Sequence, residues 1–267
     1  MLKDITIGQY FPIDSIIHRL DPRFKIVMTL IFIIMLFTGE SFICMGISAV
    51  YTLIAVFLSR IKLRMFCKSI KPLMPFLFIT AVLNLLFVSD GDVYFHWKFI
   101  KITSDGINVS VFMIIRIVLL IIGSSLLTYT TSPITLTDAV EKLLSPLKRF
   151  KFPVHELAMM MSIALRFIPT LIEETDRIIS AQKARGAEID TGNLTDRAKN
   201  MVSILVPLFI SAFRRADELA TAMECRCYNG GEGRTRLRQL KSSPADYMAL
   251  AVTILFFVCV IILNIFI

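Results

Sequence analysis

Long apolar runs fill the first half of the chain and return at its C-terminal end. Five of them predict membrane-spanning helices, at about residues 22–38, 42–58, 72–88, 107–130 and 247–267. A helix needs about 20 residues, and at least about 17, to cross the hydrocarbon core of a bilayer. The first three runs are close to that lower limit, so we expect polar ends such as those of Lys25 and Lys71 to snorkel to the interface.

Between the fourth and fifth runs the pattern changes to that of amphipathic helices. Ser132 is a candidate N-cap, Pro133 follows it, and apolar residues then recur at helical spacing. Two longer helices are predicted over about 155–186 and 196–231, with internal prolines at Pro169 and Pro207.

The apolar halves of these two long helices, 157–172 and 201–213, are shorter than a bilayer crossing requires, and Arg166 interrupts the first. We therefore predict an all-α polytopic membrane protein with about five transmembrane helices plus three cytoplasmic helices. Residues 1–131 would form an N-terminal transmembrane region of four spans, 132–243 a cytoplasmic helical region, and 244–267 a C-terminal transmembrane helix.

Composition and charge agree with this topology. Of the 267 residues 55% are hydrophobic, against about 45–50% apolar residues in soluble domains. The segment 59–71 carries five Lys and Arg residues and no acid, whereas 89–106 carries three Asp against two Lys. The positive-inside rule then predicts that the N-terminus, 59–71 and 131–243 are cytoplasmic. The net charge of +8 is thus a topology signal, and because the basic residues are not interleaved with stacking aromatics, we expect no nucleic-acid binding.

Two of the predicted cytoplasmic helices have the same ending. A shift of 41 residues lays "AMECRCYNGG" (222–231) on "AQKARGAEID" (181–190), so that Arg226 falls on Arg185 and Ala222 on Ala181. Gly186 suits the left-handed residue that ends many helices. Cys227 is less suited to positive φ, so the second helix is predicted to run on to about 229–231.

Two interpretations of these arginines remain open from the residues alone. A guanidinium beside small residues at a helix end can make a two-pronged bond with a partner's carboxylate, which lysine cannot copy. Alternatively, a basic residue in the last turn only stabilises the helix dipole.

Nearly the whole chain resembles the transmembrane T component (EcfT) of energy-coupling factor transporters, the vitamin and metal uptake members of the ATP-binding-cassette class. The resemblance lies in the membrane part, the helices from 132 onward, "SAQKARGAE", "SAFRRADELATAM" and the tail "YNGGEGRTR". In that family two Ala-Arg-Gly motifs end two coupling helices, and each arginine docks in a groove of one of two cytosolic ATPases.

Carried over, the ATPase-binding motifs are Ala184-Arg185-Gly186, a full match, and Cys225-Arg226-Cys227, which keeps only the arginine. The resemblance implies a non-catalytic, multi-pass subunit of the bacterial cell membrane. It would transmit the ATP-driven motion of two ATPases to a separate substrate-binding membrane subunit, the S component. ATP and Mg would be bound by the partner ATPases, with no cofactor on this chain.

Three further features are candidates for specific roles. Met159, Met160 and Met161 suit a surface that accepts several substrate-binding subunits, or else fill a core. Arg116 lies inside the fourth predicted span, where a charge is a functional candidate by default. We expect a structural role, with Asn84 of the third span as its candidate partner, because no acidic residue lies within a predicted span to form a relay.

Other chemistries find little support. Cys225 and Cys227 lack a third and fourth ligand nearby for zinc, since His18, His96 and His155 are far apart in sequence. "GGEGRT" (230–235) lacks the Lys-Ser/Thr of a phosphate loop. The alternatives are a stand-alone secondary transporter or a membrane scaffold protein without ATPase partners. A secondary transporter would need intramembrane carboxylates or broken helices, and a membrane enzyme would need a nucleophile with a base or a metal cluster.

Overall fold

The computed structural model describes residues 10–88, 93–97, 100–150, 152–186, 194–230 and 240–266, and helices dominate it. The helices are α1 Ile16–Arg19, α2 Pro22–Thr38, α3 Phe42–Ser59, α4 Leu63–Ile70, α5 Met74–Phe87, α6 Ser104–Thr130, α7 Pro133–Leu144, α8 Val154–Ala184, α9 Leu194–Glu224 and α10 Pro244–Phe266. Short 3-10 turns occupy Lys71–Leu73 and Ser145–Phe150. Strands β1 (Val93–Trp97) and β2 (Ile100–Thr103) pair as an antiparallel hairpin. The all-α prediction is confirmed, and the hairpin is the one addition to it in the described part of the chain.

Local capping explains where several helices begin. The side chain of Asp21 accepts a hydrogen bond from Arg23 N (2.9 Å) ahead of α2, which starts with proline. The hydroxyl of Ser132 accepts from Thr135 N (3.3 Å) ahead of α7. Each cap satisfies an N–H group that the first helical turn leaves without a partner, and the predicted cap at Ser132 is confirmed.

Five helical segments of the described chain are long and apolar enough to cross a membrane: Phe42–Ser59, Leu63–Phe87, Ser104–Thr130, Val154–Ala184 and Pro244–Phe266. The predicted number is confirmed, but one member differs. Helix α2, with 17 residues, lies at the lower limit of about 17 residues for a bilayer crossing and is not in this set. Helix α8, a continuous helix of 31 residues, qualifies by length and mean hydropathy although polar residues flank 157–172, so helix length alone does not exclude it as a span.

The chain divides into two compact units, one comprising Gly8–Ala139 with Leu240–Ile267 and the other built on Val140–Gln239. We call the first the membrane unit and the second the α8–α9 unit. In the membrane unit, helices α2, α3, α6 and α10 pack around a buried core. Its members are Phe32, Met35, Leu36, Cys44, Met45, Leu119 and Val260.

Lys25 lies inside the membrane unit and does not snorkel. Its side chain is buried, and Nζ donates to the carbonyl oxygens of His18 (3.2 Å) and Thr130 (2.9 Å). The prediction that Lys25 reaches the interface was therefore wrong, whereas Lys71 is exposed. Burial, followed by the charge of Lys25, lowers the pKa of His18.

A second buried charge lies near Lys25 at the start of α10. Asp246 is 1% exposed, and its carboxylate accepts from Asp21 N (2.8 Å) and Ser243 N (2.6 Å). One carboxylate thus holds the first turn of α10 against the start of α2. The carboxylates of Asp246 and Asp21 both interact electrostatically with the Lys25 ammonium.

Candidate functional site

The end of α8 has the geometry that its sequence predicts. Arg185 N donates to the carbonyl of Ala181 (3.2 Å), and Gly186 N donates to that of Lys183 (3.0 Å). Gly186 has φ +84°, the left-handed conformation that glycine adopts without steric cost. The prediction that Gly186 ends this helix is confirmed.

The end of α9 differs from its prediction. The helix ends at Glu224, and Cys227 takes the left-handed conformation with φ +53°. Cys227 N donates to the carbonyl of Glu224 (2.8 Å) and Tyr228 N to that of Met223 (3.1 Å), the paired bonds of a Schellman motif. The prediction that α9 runs on to 229–231 was wrong, because these two bonds satisfy terminal carbonyls and offset the strain of about 1–2 kcal/mol that a side chain meets in this conformation.

Arg185 and Arg226 therefore occupy the same position in two matched helix ends. Each is the last residue before the left-handed one, and each is exposed. Their preceding neighbours, Ala184 and Cys225, are small and also exposed. Among the residues that the structure describes, neither guanidinium has a hydrogen-bond or ion-pair partner. Both are open to a partner molecule.

Helices α8 and α9 contact each other in antiparallel order. Gln182 Nε2 donates to the carbonyl of Ser203 (3.3 Å), and farther from the α8 tip Arg215 Nη2 donates to Glu174 Oε2 (3.1 Å). Glu174 and Arg215 are separated by the same 41 residues as the two terminal arginines. Residues at equivalent positions of the two repeats are therefore in contact. This is expected if a twofold axis close to the contact relates the two helices. This ion pair was not predicted from the sequence, although the 41-residue shift was the signal that could have found it.

This antiparallel arrangement separates the two arginines. Arg185 and Arg226 each lie 11 residues beyond the Glu174–Arg215 contact, toward opposite ends of the helix pair. At about 1.5 Å per residue, the two helix ends are roughly 30 Å apart. The pair presents two equivalent cationic tips rather than one combined cluster.

The methionine run lies on the apolar part of α8. Met159 is half-buried, while Met160 and Met161 are 57% and 40% exposed. Helix α9 carries a longer uncovered apolar surface, formed by Met201, Val202, Leu205, Val206, Phe209, Ile210 and Phe213. Met160 and Met161 therefore do not fill a core among the described residues, and the apolar parts of both helices are open to lipid or to a partner.

Arg116 anchors one helix to another within the membrane unit. Its Nη2 donates to the carbonyl of Gly39 (2.8 Å), which caps the end of α2. The guanidinium carbon lies 4.7 Å from the ring centre of Phe112 and 5.8 Å from that of Phe37, within cation–π range. Asn84, half-buried in α5, is not among these contacts. The geometry favours a structural role for Arg116 without the predicted partner.

The described residues contain no group of three or more His, Cys, Asp and Glu side chains that could hold a metal ion. Cys225 and Cys227 are exposed free thiols. His155 Nδ1 pairs instead with Glu141 Oε1 at 3.2 Å. Most of the glycine-rich segment 230–235 lies outside the described residues.

Substitutions at Gly186 and Cys227, the two residues with positive φ, test the matched geometry of the helix ends. We expect Cys227→Gly to stabilise the end of α9, and Gly186→Ala to destabilise the end of α8, each by about 1 kcal/mol, because only glycine is free of strain there. No atom of the described residues would crowd a Cβ at Gly186, so the effect there isolates backbone conformation. Hydrogen exchange of the last-turn amides measures both changes. Equal exchange in variants and wild type would contradict the assignment of these φ values.

The comparisons with known proteins agree with this architecture. The chain matches the CbiQ family, described as cobalt transport protein, over residues 14–237. It is 52% identical over 264 residues to a protein of Ruminiclostridium cellulolyticum, covering 99% of this chain and 98% of the relative. It is 54% identical over 265 residues to one of Clostridium kluyveri, with the same coverage. A relative from Lactococcus lactis subsp. cremoris is 44% identical over 262 residues, covering 98% of each chain.

All three relatives are named energy-coupling factor transporter transmembrane protein EcfT. The similarity spans the membrane helices and both helix ends that carry the exposed arginines. The chain therefore belongs to the EcfT family of energy-coupling factor transporter transmembrane proteins.

Proposed function

We propose that this transmembrane component couples two cytosolic ATPases to a separate substrate-binding membrane subunit. The observation that carries the proposal is the pair of matched helix ends. Arg185 and Arg226 are each exposed, each flanked by a small residue, and each followed by a left-handed residue. A role limited to the helix dipole explains a basic residue in a last turn, but it does not require the same backbone geometry twice.

The separation of the two tips favours two partner surfaces rather than one. Tips roughly 30 Å apart on an antiparallel pair suit two similar ATPase subunits, each receiving one arginine. A groove carboxylate on each ATPase would bind the guanidinium in bidentate fashion. Binding and hydrolysis of ATP, and the Mg that accompanies it, belong in this proposal to those partner chains.

The two long helices are suited to transmit movement of the ATPases. Each is a continuous helix of 31 residues, about 46 Å long at 1.5 Å per residue. The Glu174–Arg215 ion pair ties them together between the tips. Their exposed apolar surfaces, including Met160 and Met161, would contact the substrate-binding subunit, since methionine adapts to different partners.

This proposal places the N-terminus, residues 59–71 and helices α7 to α9 on the cytoplasmic side. Charge supports a cytoplasmic placement of α8, which is long enough to span a bilayer. Arg166 lies within its apolar stretch, and an arginine near the centre of a bilayer costs about 2.5–3.5 kcal/mol or more. The positive-inside rule also disfavours moving Arg177 and Arg185 to the outer face.

Single charge reversals test each docking site separately. We expect Arg185→Glu and Arg226→Glu each to weaken ATPase binding about 30-fold, the equivalent of a 2 kcal/mol interface hot spot. Titration of the purified ATPases onto the chain in nanodiscs measures this change. Arg177→Glu and Arg214→Glu, exposed arginines on the same two helices, are the matched controls and should bind as wild type does. Equal weakening in the controls would assign the loss to net charge.

The runner-up function, a stand-alone secondary transporter, makes the opposite prediction about dependence on ATPases. Substrate uptake by vesicles that contain only this chain and the substrate-binding subunit would support it. Uptake that appears only when both ATPases and ATP are supplied would support the coupling function.

A further inference from the structure

A cavity of about 320 Å³ lies inside the membrane unit, among α1, α2, α3, α6 and α10. Its walls come from the first half of α2, the last part of α3, the last turns of α6 and the first half of α10. Phe32, Leu58, Leu126, Val252 and Phe256 are among its apolar wall residues. In the proposed orientation all of these segments belong to the cytoplasmic half of the bilayer.

The polar groups in the wall already bond to the protein. Lys25 Nζ donates to two carbonyl oxygens and, at 3.4 Å, to the hydroxyl of Thr131. Tyr51 OH pairs with Thr253 Oγ1 at 3.0 Å. The threonine hydroxyls bond back to carbonyl oxygens of their own helices, namely Thr29 to Lys25, Thr52 to Ser48, Thr130 to Leu126 and Thr253 to Ala249.

Because the polar groups of the wall already have hydrogen-bond partners, the cavity favours an apolar occupant. A vitamin carries hydrogen-bonding groups that would lose water in the cavity and find few free partners, at a cost of about 1–3 kcal/mol each. Water is also disfavoured, since apolar cavities of about 150 Å³ stay dry and accept benzene instead. A hydrocarbon chain loses nothing on entry and gains about 0.8 kcal/mol for each methylene transferred from water.

The mouth of the cavity has the features of a lipid interface. Ile16, Leu58 and Met248 are wall residues whose side chains are also 63%, 39% and 68% exposed. Arg19 and Arg60, both exposed, follow within three residues of such wall residues. Exposed apolar side chains beside arginines suit an acyl chain that enters while its phosphate group stays at the surface.

We propose that this cavity binds one acyl chain of a membrane phospholipid, whose phosphate lies beside Arg19 and Arg60. The acyl chain fills the space between α3 and α10 and packs against the helices that surround it. The cavity is thus a lipid site, distinct from a substrate pocket. This lipid site rests on the membrane orientation given under the proposed function and is independent of ATPase docking.

Photo-crosslinking in the intact reconstituted transporter tests the site. The probe is a phosphatidylglycerol with a diazirine in its acyl chain, diluted into phosphatidylcholine vesicles, and the adducts are located by peptide mass spectrometry. Ala249 lines the cavity from α10, whereas Ala251 on the same helix is exposed on its outer face. We expect Ala249→Phe to lower the adduct yield on α3 and α10 about tenfold, the equivalent of withdrawing two methylenes of the chain, and Ala251→Phe to leave it unchanged.

A second variant keeps the proposal testable if the Ala249→Phe variant misfolds. Ala55 lines the cavity from α3, and Ala55→Phe should give the same loss if Ala249→Phe does not assemble. Adducts spread along the outer helix faces, at equal yield in wild type and both cavity variants, would overturn the proposal. Labelling by the free diazirine fatty acid that equals or exceeds that of the phospholipid would overturn the assignment to a phospholipid.

Discussion

Replacing Asp246 with alanine will lower the free energy of unfolding of the membrane unit by about 2–6 kcal/mol, the cost of leaving two backbone N–H groups without an acceptor at about 1–3 kcal/mol each. Two N–H groups lose their acceptor at once, those of Asp21 and Ser243. Buried Lys25 also loses the electrostatic attraction of one of two nearby carboxylates, while its bonds to carbonyl oxygens remain. Buried N–H groups left without an acceptor are costly.

Thermal unfolding in nanodiscs, followed by the fraction of chain that stays monodisperse, measures this loss. Asp14→Ala is the matched control, because the ion pair of Asp14 with Arg19 is almost fully exposed and is worth at most about 1 kcal/mol. The double change Asp246→Ala with Lys25→Met should recover part of the loss, since it removes a buried ammonium that has lost one of its two nearby carboxylates. Equal stability of Asp246→Ala and Asp14→Ala would contradict the role of the two hydrogen bonds that Asp246 accepts.

Local signals in the sequence predicted the helices of the membrane unit well. Helix α2 has the predicted limits, and α3 and α10 differ from theirs by a few residues. Apolar run length, the Asp21 cap and Pro22 act within a few residues of the boundary that they set. These helix boundaries can therefore be predicted from each segment of the sequence without knowledge of the rest of the fold.

The buried charges could not be predicted in the same way. Lys25 stands near the start of an apolar run, and a lysine there usually snorkels. Its burial depends on Thr130 and Asp246, which are more than 100 residues away in sequence. Only the packing of α2 against α6 and α10 brings these groups together, and the repeat of apolar residues does not specify that packing.

In the α8–α9 unit, one helix end follows the conformational preference of its left-handed residue and the other does not. The glycine at 186 predicts a left-handed residue, and the structure has one. Cys227 predicts the opposite, yet its N–H and that of Tyr228 capture two terminal carbonyls of α9. Backbone hydrogen bonds at a helix end outweigh a moderate side-chain strain. The repeated arginine was therefore a better guide to this geometry than the identity of the residue that follows it.

Reversing both arginine charges, Arg185→Glu with Arg226→Glu, will abolish substrate uptake by the assembled transporter. The two tips form a bivalent attachment, so that a chain with one intact tip still holds the paired ATPases while the other contact rebinds at high effective concentration. The double variant has no intact tip that could hold the ATPases while the other contact rebinds. Two hot spots of about 2 kcal/mol each give roughly a thousandfold loss of binding, well beyond that of either single variant.

Uptake into proteoliposomes and ATPase binding are measured on the same preparations, with the double variant Arg177→Glu and Arg214→Glu as the control of equal net charge. Loss of both binding and uptake in the tip variant alone places the coupling contacts at the ends of α8 and α9. Loss of uptake with ATPase binding retained would mean that the arginines transmit force without providing the attachment. Wild-type uptake in the double tip variant would leave the helix dipole as the role of both arginines, and the coupling contacts would then have to lie on another surface of the α8–α9 unit.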